Sequence, residues 1–121
     1  MGKWLILYST ITGNTRMVAE AMLAVAPPGS FMQDIRELDP AELRNTSYEV
    51  VVAGYWLKRG GPDPQMAKIL PEIADRQVVL LETHGALPGS EHAATAFARA
   101  GYSLGENCEI LGTFRCQGKL K

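Results

Sequence analysis

The sequence has little of what marks several large classes of protein. Only two of its 121 residues are cysteines, Cys108 and Cys116, which are too few and too late in the chain for a disulfide framework or a zinc site. No apolar run approaches the roughly 20 residues of a membrane-spanning helix, and the apolar stretch at the N-terminus is too short for a signal peptide. We therefore expect a cytoplasmic protein with plain thiols and no membrane association.

An excess of charge of one sign is also missing. Twelve Lys and Arg residues against thirteen Asp and Glu residues give a net charge of -1, so the basic surface that binds nucleic acid is not expected. Hydrophobic residues make up 46% of the chain and charged residues 21%, which is typical of a globular rather than a disordered protein. A chain of this length has room for a single domain, 1–121, with one core.

Familiar phosphate-binding signatures are absent as well. The chain contains neither the G-x-x-x-x-G-K-[ST] loop of nucleoside triphosphatases nor the G-x-G-x-x-G loop of dinucleotide-binding proteins. The loop after the first expected strand has no cysteine that could serve as a phosphatase nucleophile. A receiver domain would need acidic residues after the first strand and an Asp at the end of the third, where this chain has Tyr8-Ser9 and Gly54-Tyr55.

Apolar runs alternate with helical patterns along the chain, which predicts an α/β domain with a largely parallel sheet. Strands are predicted at 4–8, 30–35, 48–53, 77–82 and 109–114. A helical stripe occupies 17–25, and Asp39, Asp63 and Ser90 are predicted to cap three further helices. The third of these four helices should be kinked or split by Pro71. The predicted order is βα βα βα βα β, and no helix is visible after the last strand.

The loop after the first strand is rich in hydroxyl groups. It reads Ser9-Thr10-Ile11-Thr12-Gly13-Asn14-Thr15. Hydroxyls, a glycine and the free N–H groups of a helix N-terminus suit a bound phosphate, because the helix dipole favours negative charge there. Since no Lys or Arg occurs before Arg16, neutral donors would hold the phosphate, which suits a permanently bound monoester. The alternative is an ordinary Ser/Thr-capped turn.

Two further loops are expected at the same edge of the sheet. In residues 54–62, the rings of Tyr55 and Trp56 can face a planar ligand, or they can be packing residues at a strand end. In residues 83–89, glycines allow a close approach of the backbone, Leu87 can form an apolar wall, and His84 can hydrogen-bond a ring edge or donate a proton. The alternative for His84 is a solvated loop residue.

The segment Thr10-Ile11-Thr12-Gly13-Asn14-Thr15 matches the [ST]-x-T-G-x-T phosphate loop of the flavodoxin family. The order of elements resembles that family along essentially the whole chain. The resemblance implies a doubly wound, five-stranded parallel sheet of order 2-1-3-4-5 that lacks the last helix. It also implies that FMN binds at the point where the strand order reverses. Ligands of open α/β sheets generally bind there, and flavodoxin is itself a standard instance of this rule.

The resemblance further implies that the phosphate lies on residues 10–15 and the isoalloxazine ring between loops 55–61 and 84–88. Within the 55–61 loop, Gly60 is expected to be the flexible backbone point, because Gly61 is restricted by the following Pro62. The predicted cofactor-binding residues are Ser9, Thr10, Ile11, Thr12, Gly13, Asn14, Thr15, Tyr55, Trp56, Leu57, Gly60, Gly61, Thr83, His84, Gly85 and Leu87. No catalytic or metal-binding residue is predicted.

These features lead us to expect an FMN-binding redox protein that shuttles electrons between protein partners. The alternatives are a small FMN-dependent reductase, for a quinone or similar substrate, and an interaction module without flavin. Lys58 and Arg59 lie in the loop 54–62, here called the ring-side loop, and no acidic residue occurs in it before Asp63. These two positive charges favour an acidic partner. A second copy of the chain, or another partner, is expected to cover the face left by the missing last helix.

Overall fold

The computed structural model describes residues 3–9, 14–43, 47–58, 61–84 and 92–117. None of the helices in these ranges is long and apolar enough to span a membrane. The elements, in chain order, are β1 (Trp4–Tyr8), α1 (Asn14–Val25), β2 (Phe31–Asp34), a 3-10 turn (Ile35–Glu37), α2 (Pro40–Leu43), β3 (Val50–Lys58), β4 (Gly61–Pro62), α3 (Pro64–Ile69), a second 3-10 turn (Leu70–Glu72), β5 (Gln77–His84), α4 (His92–Ser103) and β6 (Glu109–Gln117).

Five strands form a parallel sheet in the order β2-β1-β3-β5-β6. This is the 2-1-3-4-5 order that the resemblance implies, since β4 lies off the main path and pairs only with β3. The predicted absence of a helix after the last strand concerns residues beyond Gln117, which lie outside the described ranges.

The segment 54–62 differs from its prediction as a loop. Strand β3 continues to Lys58, and β4 returns antiparallel to it, with Leu57 opposite Pro62 and Lys58 opposite Gly61. The aromatic pair at 55–56 favours extended backbone, which explains why the strand continues past Gly54. Most of the predicted ring-side loop is therefore a β hairpin, whose tip at residues 59 and 60 lies outside the described ranges.

The sheet is covered on both faces, and alternate residues of its central strands point to opposite sides. On one side, Leu7, Val51 and Leu80 belong to the cluster that includes residues of α2, α3 and α4. On the other side, Ile6 and Val52 pack with residues of α1. This explains why the central strands are continuous apolar runs rather than alternating ones. Helix α3 ends at Ile69, and Pro71 lies in the 3-10 turn that follows it, so the helical stripe is split at the predicted place.

Candidate functional site

The carboxyl ends of β1, β3 and β5 lie side by side at one edge of the sheet. Tyr8 is the register partner of Gly54, and Trp56 is the register partner of Thr83. Strand β1 has β2 on one side and β3 on the other, so the strand order reverses between β1 and β3. Ligands of open α/β sheets bind at such a reversal, beyond the carboxyl ends of the strands. The strand ends that precede the three segments singled out in the sequence therefore lie together at this edge.

Part of the predicted site lies outside the described residues. The structure does not describe Thr10, Ile11, Thr12, Gly13, Gly60, Gly85 or Leu87, and it gives only the backbone positions of Asn14, at the start of α1, and His84, at the end of β5. Their roles stay predictions. The remaining predicted residues, namely Ser9, Thr15, Tyr55, Trp56, Leu57, Gly61 and Thr83, flank these segments and can be placed.

The two residues on either side of the predicted phosphate loop are buried and held by the neighbouring strands. The backbone N–H of Ser9 donates to the carbonyl of Gly54 at 2.9 Å. The hydroxyl of Thr15, in the first turn of α1, lies 2.7 Å from the hydroxyl of Thr83 at the end of β5. Both ends of the loop are therefore fixed on β3 and β5.

Gly54 makes this arrangement possible. A Cβ atom built at Gly54 would lie 3.3 Å from the carbonyl oxygen of Leu7 and 3.3 Å from the side-chain methyl carbon of Thr15. A larger residue would therefore require the Leu7 carbonyl or Thr15 to shift by a few tenths of an ångström. The contact also orients Thr15, because its methyl group faces β3 and its hydroxyl faces β5.

Asp63 is a functional candidate that the sequence reasoning treated only as a helix cap. Its cap role is confirmed, since Oδ1 accepts from the N–H of Met66 at 3.0 Å. The other oxygen, Oδ2, accepts from the Ser9 hydroxyl and from the N–H of Trp56 at 3.3 Å. The carboxylate is fully buried and joins the end of β1, the hairpin and α3. A buried acid is stable only with such partners, but the sequence does not show that Ser9 is one of them.

The two predicted stacking residues differ in their environment. Tyr55 is fully buried in the core on the side of α3 and α4, and its hydroxyl donates to Glu82 Oε1 at 3.0 Å. The ring is therefore a packing residue, the alternative given for it above. Trp56 follows Tyr55 in the strand, faces the other side and is partly exposed, so it remains the candidate for stacking on a planar ligand.

Glu82 places a second buried acid close to this edge. Its side chain is fully buried, and Oε2 has no hydrogen-bond partner among the described residues. Burial raises the pKa of Glu82 to about 7, although the hydrogen bond from Tyr55 and the charge of Arg115 oppose the shift. Burial, followed by the proximity of Glu82, raises the pKa of the Tyr55 hydroxyl well above its usual range. The sequence shows Glu82 only as the end of a strand.

Cationic residues also lie near the hairpin. Lys58 pairs with Gly61 across its two strands, and the side chain of Arg99, from α4, packs over Gly61, with Cδ 3.3 Å from a Cβ built there. Arg16, in the first turn of α1, is exposed and pairs with Glu20 at 3.3 Å. Among the described residues, the two side chains that flank the phosphate loop, Ser9 and Thr15, carry neutral hydroxyl groups.

A cleft of about 420 Å³ lies at the opposite end of the sheet, between the amino ends of β3, β5 and β6. It is lined by polar residues, including Arg76, whose guanidinium donates to the carbonyls of Ala74 and Tyr48. Because this cleft is open and far from the reversal in strand order, it is not the predicted cofactor site.

A family model described as a flavodoxin domain matches residues 5–121. The chain belongs to the flavodoxin family. The BilS protein of Clostridioides difficile (strain CD3), a flavodoxin-like domain-containing protein, is 30% identical over 118 residues, which cover 98% of this chain and 67% of that relative. Family membership confirms the resemblance drawn from the phosphate-loop motif.

Solved structures agree with this flavodoxin fold. A flavoprotein from Lactobacillus acidophilus, in complex with FMN, superposes with a TM-score of 0.73 at 17% identity, covering 95% of this chain and 93% of that one. The two-electron reduced flavodoxin of Megasphaera elsdenii gives a TM-score of 0.64 at 16% identity, covering 93% and 84%. The cofactor of the first neighbour agrees with the FMN predicted above.

The described residues of this flavodoxin-family chain fit a phosphate monoester with a planar ring. Helix α1 begins at the phosphate loop, and its own first turn holds no carboxylate that would repel an anion. Buried hydroxyls of Ser9 and Thr15 flank the loop, and Trp56 offers a partly exposed aromatic ring on the neighbouring strand. An anionic group and an aromatic ring can therefore be bound at adjacent positions.

Proposed function

We propose that this chain binds FMN and carries electrons between protein partners. The observation that carries the proposal is the convergence, at the reversal in strand order, of a hydroxyl-rich helix start, an aromatic hairpin and the end of β5. Family membership and the FMN complex of a structural neighbour support it. Bound FMN would supply reversible one- and two-electron chemistry.

The residues of this chain would divide the binding between them. Residues 10–15 would hold the phosphate through hydroxyl and backbone N–H donors, with the α1 dipole favouring its charge. Trp56, on the hairpin that Asp63 anchors, would contact the ring from one side, and His84, Gly85 and Leu87 from the other, whereas Leu57 follows Trp56 in β3 and points to the opposite side of the strand. Asp63 and Glu82 would place two buried carboxyl groups near the same edge of the sheet, and Arg99 would add a positive charge at the hairpin.

A cationic hairpin edge supports an acidic protein as the partner. Lys58 and Arg59 are adjacent in the sequence, and Arg99 packs against the same hairpin. Opposite charge on a partner would accelerate docking, and added salt would slow it. We also predict, without a test so far, that a second copy of the chain or another partner covers the face left by the missing last helix. Leu111 and Phe114, on the edge strand β6, are exposed apolar residues.

The test begins with the purified apoprotein and FMN. Titration followed by flavin fluorescence and visible absorption should give one bound FMN per chain. The loaded protein should then exchange electrons with a redox protein but show no steady-state oxidation of NADH or NADPH with a quinone. Rapid turnover with NAD(P)H and a quinone would favour the reductase instead. If FMN does not bind, both flavin functions are wrong, and the flavin-free interaction module becomes the better hypothesis.

A further inference from the structure

The hydroxyls of Thr15 and Thr83 form part of a buried chain of three oxygen atoms. Thr15 Oγ1 lies 2.7 Å from Thr83 Oγ1, which in turn lies 3.4 Å from the carbonyl oxygen of Tyr55. The two threonines are 1% and 3% exposed, so water does not readily replace these contacts. The chain runs from the first turn of α1, through the end of β5, to β3.

Two hydroxyl protons must be shared among these three oxygens. When Thr83 donates to the Tyr55 carbonyl, Thr15 must donate its single hydroxyl proton to Thr83. The Thr15 oxygen can then only accept further hydrogen bonds. A phosphate ester near neutral pH mainly accepts hydrogen bonds. Thr15 can therefore donate to a phosphate only if its own hydroxyl accepts from Thr83 instead. That reversal gives up the Thr83–Tyr55 contact, which at 3.4 Å is the weaker of the two.

We propose that Thr83 is a positioning residue for the phosphate of the bound flavin. It donates its proton to Thr15 and so presents the Thr15 hydroxyl as a donor at the start of α1. Thr83 acts through Thr15 and does not itself contact the cofactor. This differs from the sequence-based prediction, which placed Thr83 among the residues that contact the flavin directly. This inference rests on the proposed FMN function.

The surroundings hold Thr15 in the orientation that this role needs. Its methyl carbon faces Gly54, where a built Cβ would lie at 3.3 Å, so a rotation that exchanges methyl and hydroxyl would bring the methyl against Thr83. Replacing Thr83 by valine places a methyl group where an oxygen now lies 2.7 Å from Thr15 Oγ1, closer than carbon and oxygen can pack. The Thr15 hydroxyl must then move, and no donor remains at position 83 to orient its proton toward the phosphate.

The test compares FMN with riboflavin, which has the same ring and no phosphate. Dissociation constants are measured by fluorescence for the parent and for Thr83→Val, Thr83→Ala and Thr83→Ser. Loss of one directed hydrogen bond to a charged group predicts about tenfold weaker FMN binding in the valine and alanine variants. Riboflavin affinity should stay unchanged, and the serine variant should bind FMN like the parent.

The outcomes separate this inference from the function on which it rests. Equal weakening of FMN and riboflavin, or no change in either, would overturn the role of Thr83 while leaving FMN binding intact. Failure of the parent to bind FMN would instead overturn the proposed function. If the valine variant does not fold, as judged by its thermal transition without flavin, the alanine and serine variants give the same comparison.

Discussion

The Ser9 hydroxyl donates a hydrogen bond to the Asp63 carboxylate, although 54 positions separate the two residues in the chain. Ser9 ends the first strand at the phosphate loop, and Asp63 stands between the hairpin and α3. The same carboxylate accepts from the N–H groups of Trp56 and Met66. One buried side chain thus fixes the phosphate side of the site relative to the aromatic hairpin.

Replacement of Asp63 by asparagine should destabilise the protein. Asparagine can still cap α3, but its NH₂ group would face the N–H of Trp56, and two donors cannot pair. A buried polar group left without its partner costs about 1–3 kcal/mol. The free energy of unfolding from urea titrations should fall by that amount.

Asp39→Asn is the matched control for this variant. Asp39 is exposed and accepts from the N–H of Ala41 at the start of α2, and asparagine is an equally good cap. Its free energy of unfolding should change by a few tenths of a kcal/mol. Equal effects of the two substitutions would mean that Asp63 acts as an ordinary cap and not as a link across the site.

Replacement of Gly54 by alanine should displace α1. The new methyl group would press on a backbone carbonyl and on Thr15 at 3.3 Å, and overpacking of this kind typically costs about 1–3 kcal/mol. FMN affinity should fall with stability, because Thr15 moves with the helix. Gly112→Ala, on β6, is the control, since its new Cβ would meet only the ring of Phe114 at 3.4 Å. Comparable losses in both variants would contradict a special role for Gly54.

The main features of the fold follow from local patterns that the sequence displays openly. Val50-Val51-Val52 predicts a central strand because its side chains are apolar on both faces. Asp63-Pro64 predicts a capped helix start, and the N–H of Met66 does bond to Asp63. The hydroxyl-rich loop lies at the reversal in strand order because it follows the first strand, and the alternating βα pattern fixes that edge.

The tertiary partners of the site residues could not be predicted in this way. The glycines at 60 and 61 and Pro62 read as a loop, and with that reading the face to which Tyr55 points is undetermined. Once β3 extends through this segment, strict alternation buries Tyr55 and turns Trp56 to the other side. The partners of Ser9, Thr15 and Glu82 lie on distant strands, so no local spacing reveals them.

Glu82 should make stability depend on pH. Its pKa is about 7 in the folded protein against an ordinary value of 4.5, so between these values the folded state binds more protons than the unfolded state. Stability therefore falls as pH rises from about 4.5 to 7 and stays lower above pH 7. Glu82→Gln keeps the acceptor for Tyr55 and removes the charge, which should stabilise the protein by on the order of 2–3 kcal/mol at pH 8.

The measurement is the thermal transition of parent and variant between pH 5 and pH 8.5. The advantage of Glu82→Gln should be small at pH 5 and grow through pH 7. Glu20→Gln is the control, because Glu20 forms an exposed pair with Arg16 that is worth little, so its difference from the parent should vary little with pH. A difference for Glu82→Gln that does not change with pH would show that the carboxyl is ionised at little cost.

The charges around the hairpin should tune the potential of the bound flavin. Lys58 is the last residue of β3, and the side chain of Arg99 packs over Gly61 of the hairpin, whereas the acids described close to it, Asp63 and Glu82, are buried and hydrogen-bonded. A positive charge roughly 8–10 Å from the ring, at an effective dielectric of about 20–40, would favour the anionic reduced flavin by roughly 1–2 kcal/mol before screening. Since Arg99 is exposed, salt and solvent reduce this effect.

In a redox titration at low salt, Lys58→Gln combined with Arg99→Gln should lower the midpoint of the second electron by about 10–50 mV, and added KCl should shrink the difference. Lys3→Gln makes the same change of charge at the other end of β1, where Lys3 lies 5.2 Å from the Tyr48 ring centre, and it should leave the potential unchanged. If the double variant shifts no further than Lys3→Gln, the hairpin cations do not tune the flavin, and the buried carboxyl groups become the charges to vary next.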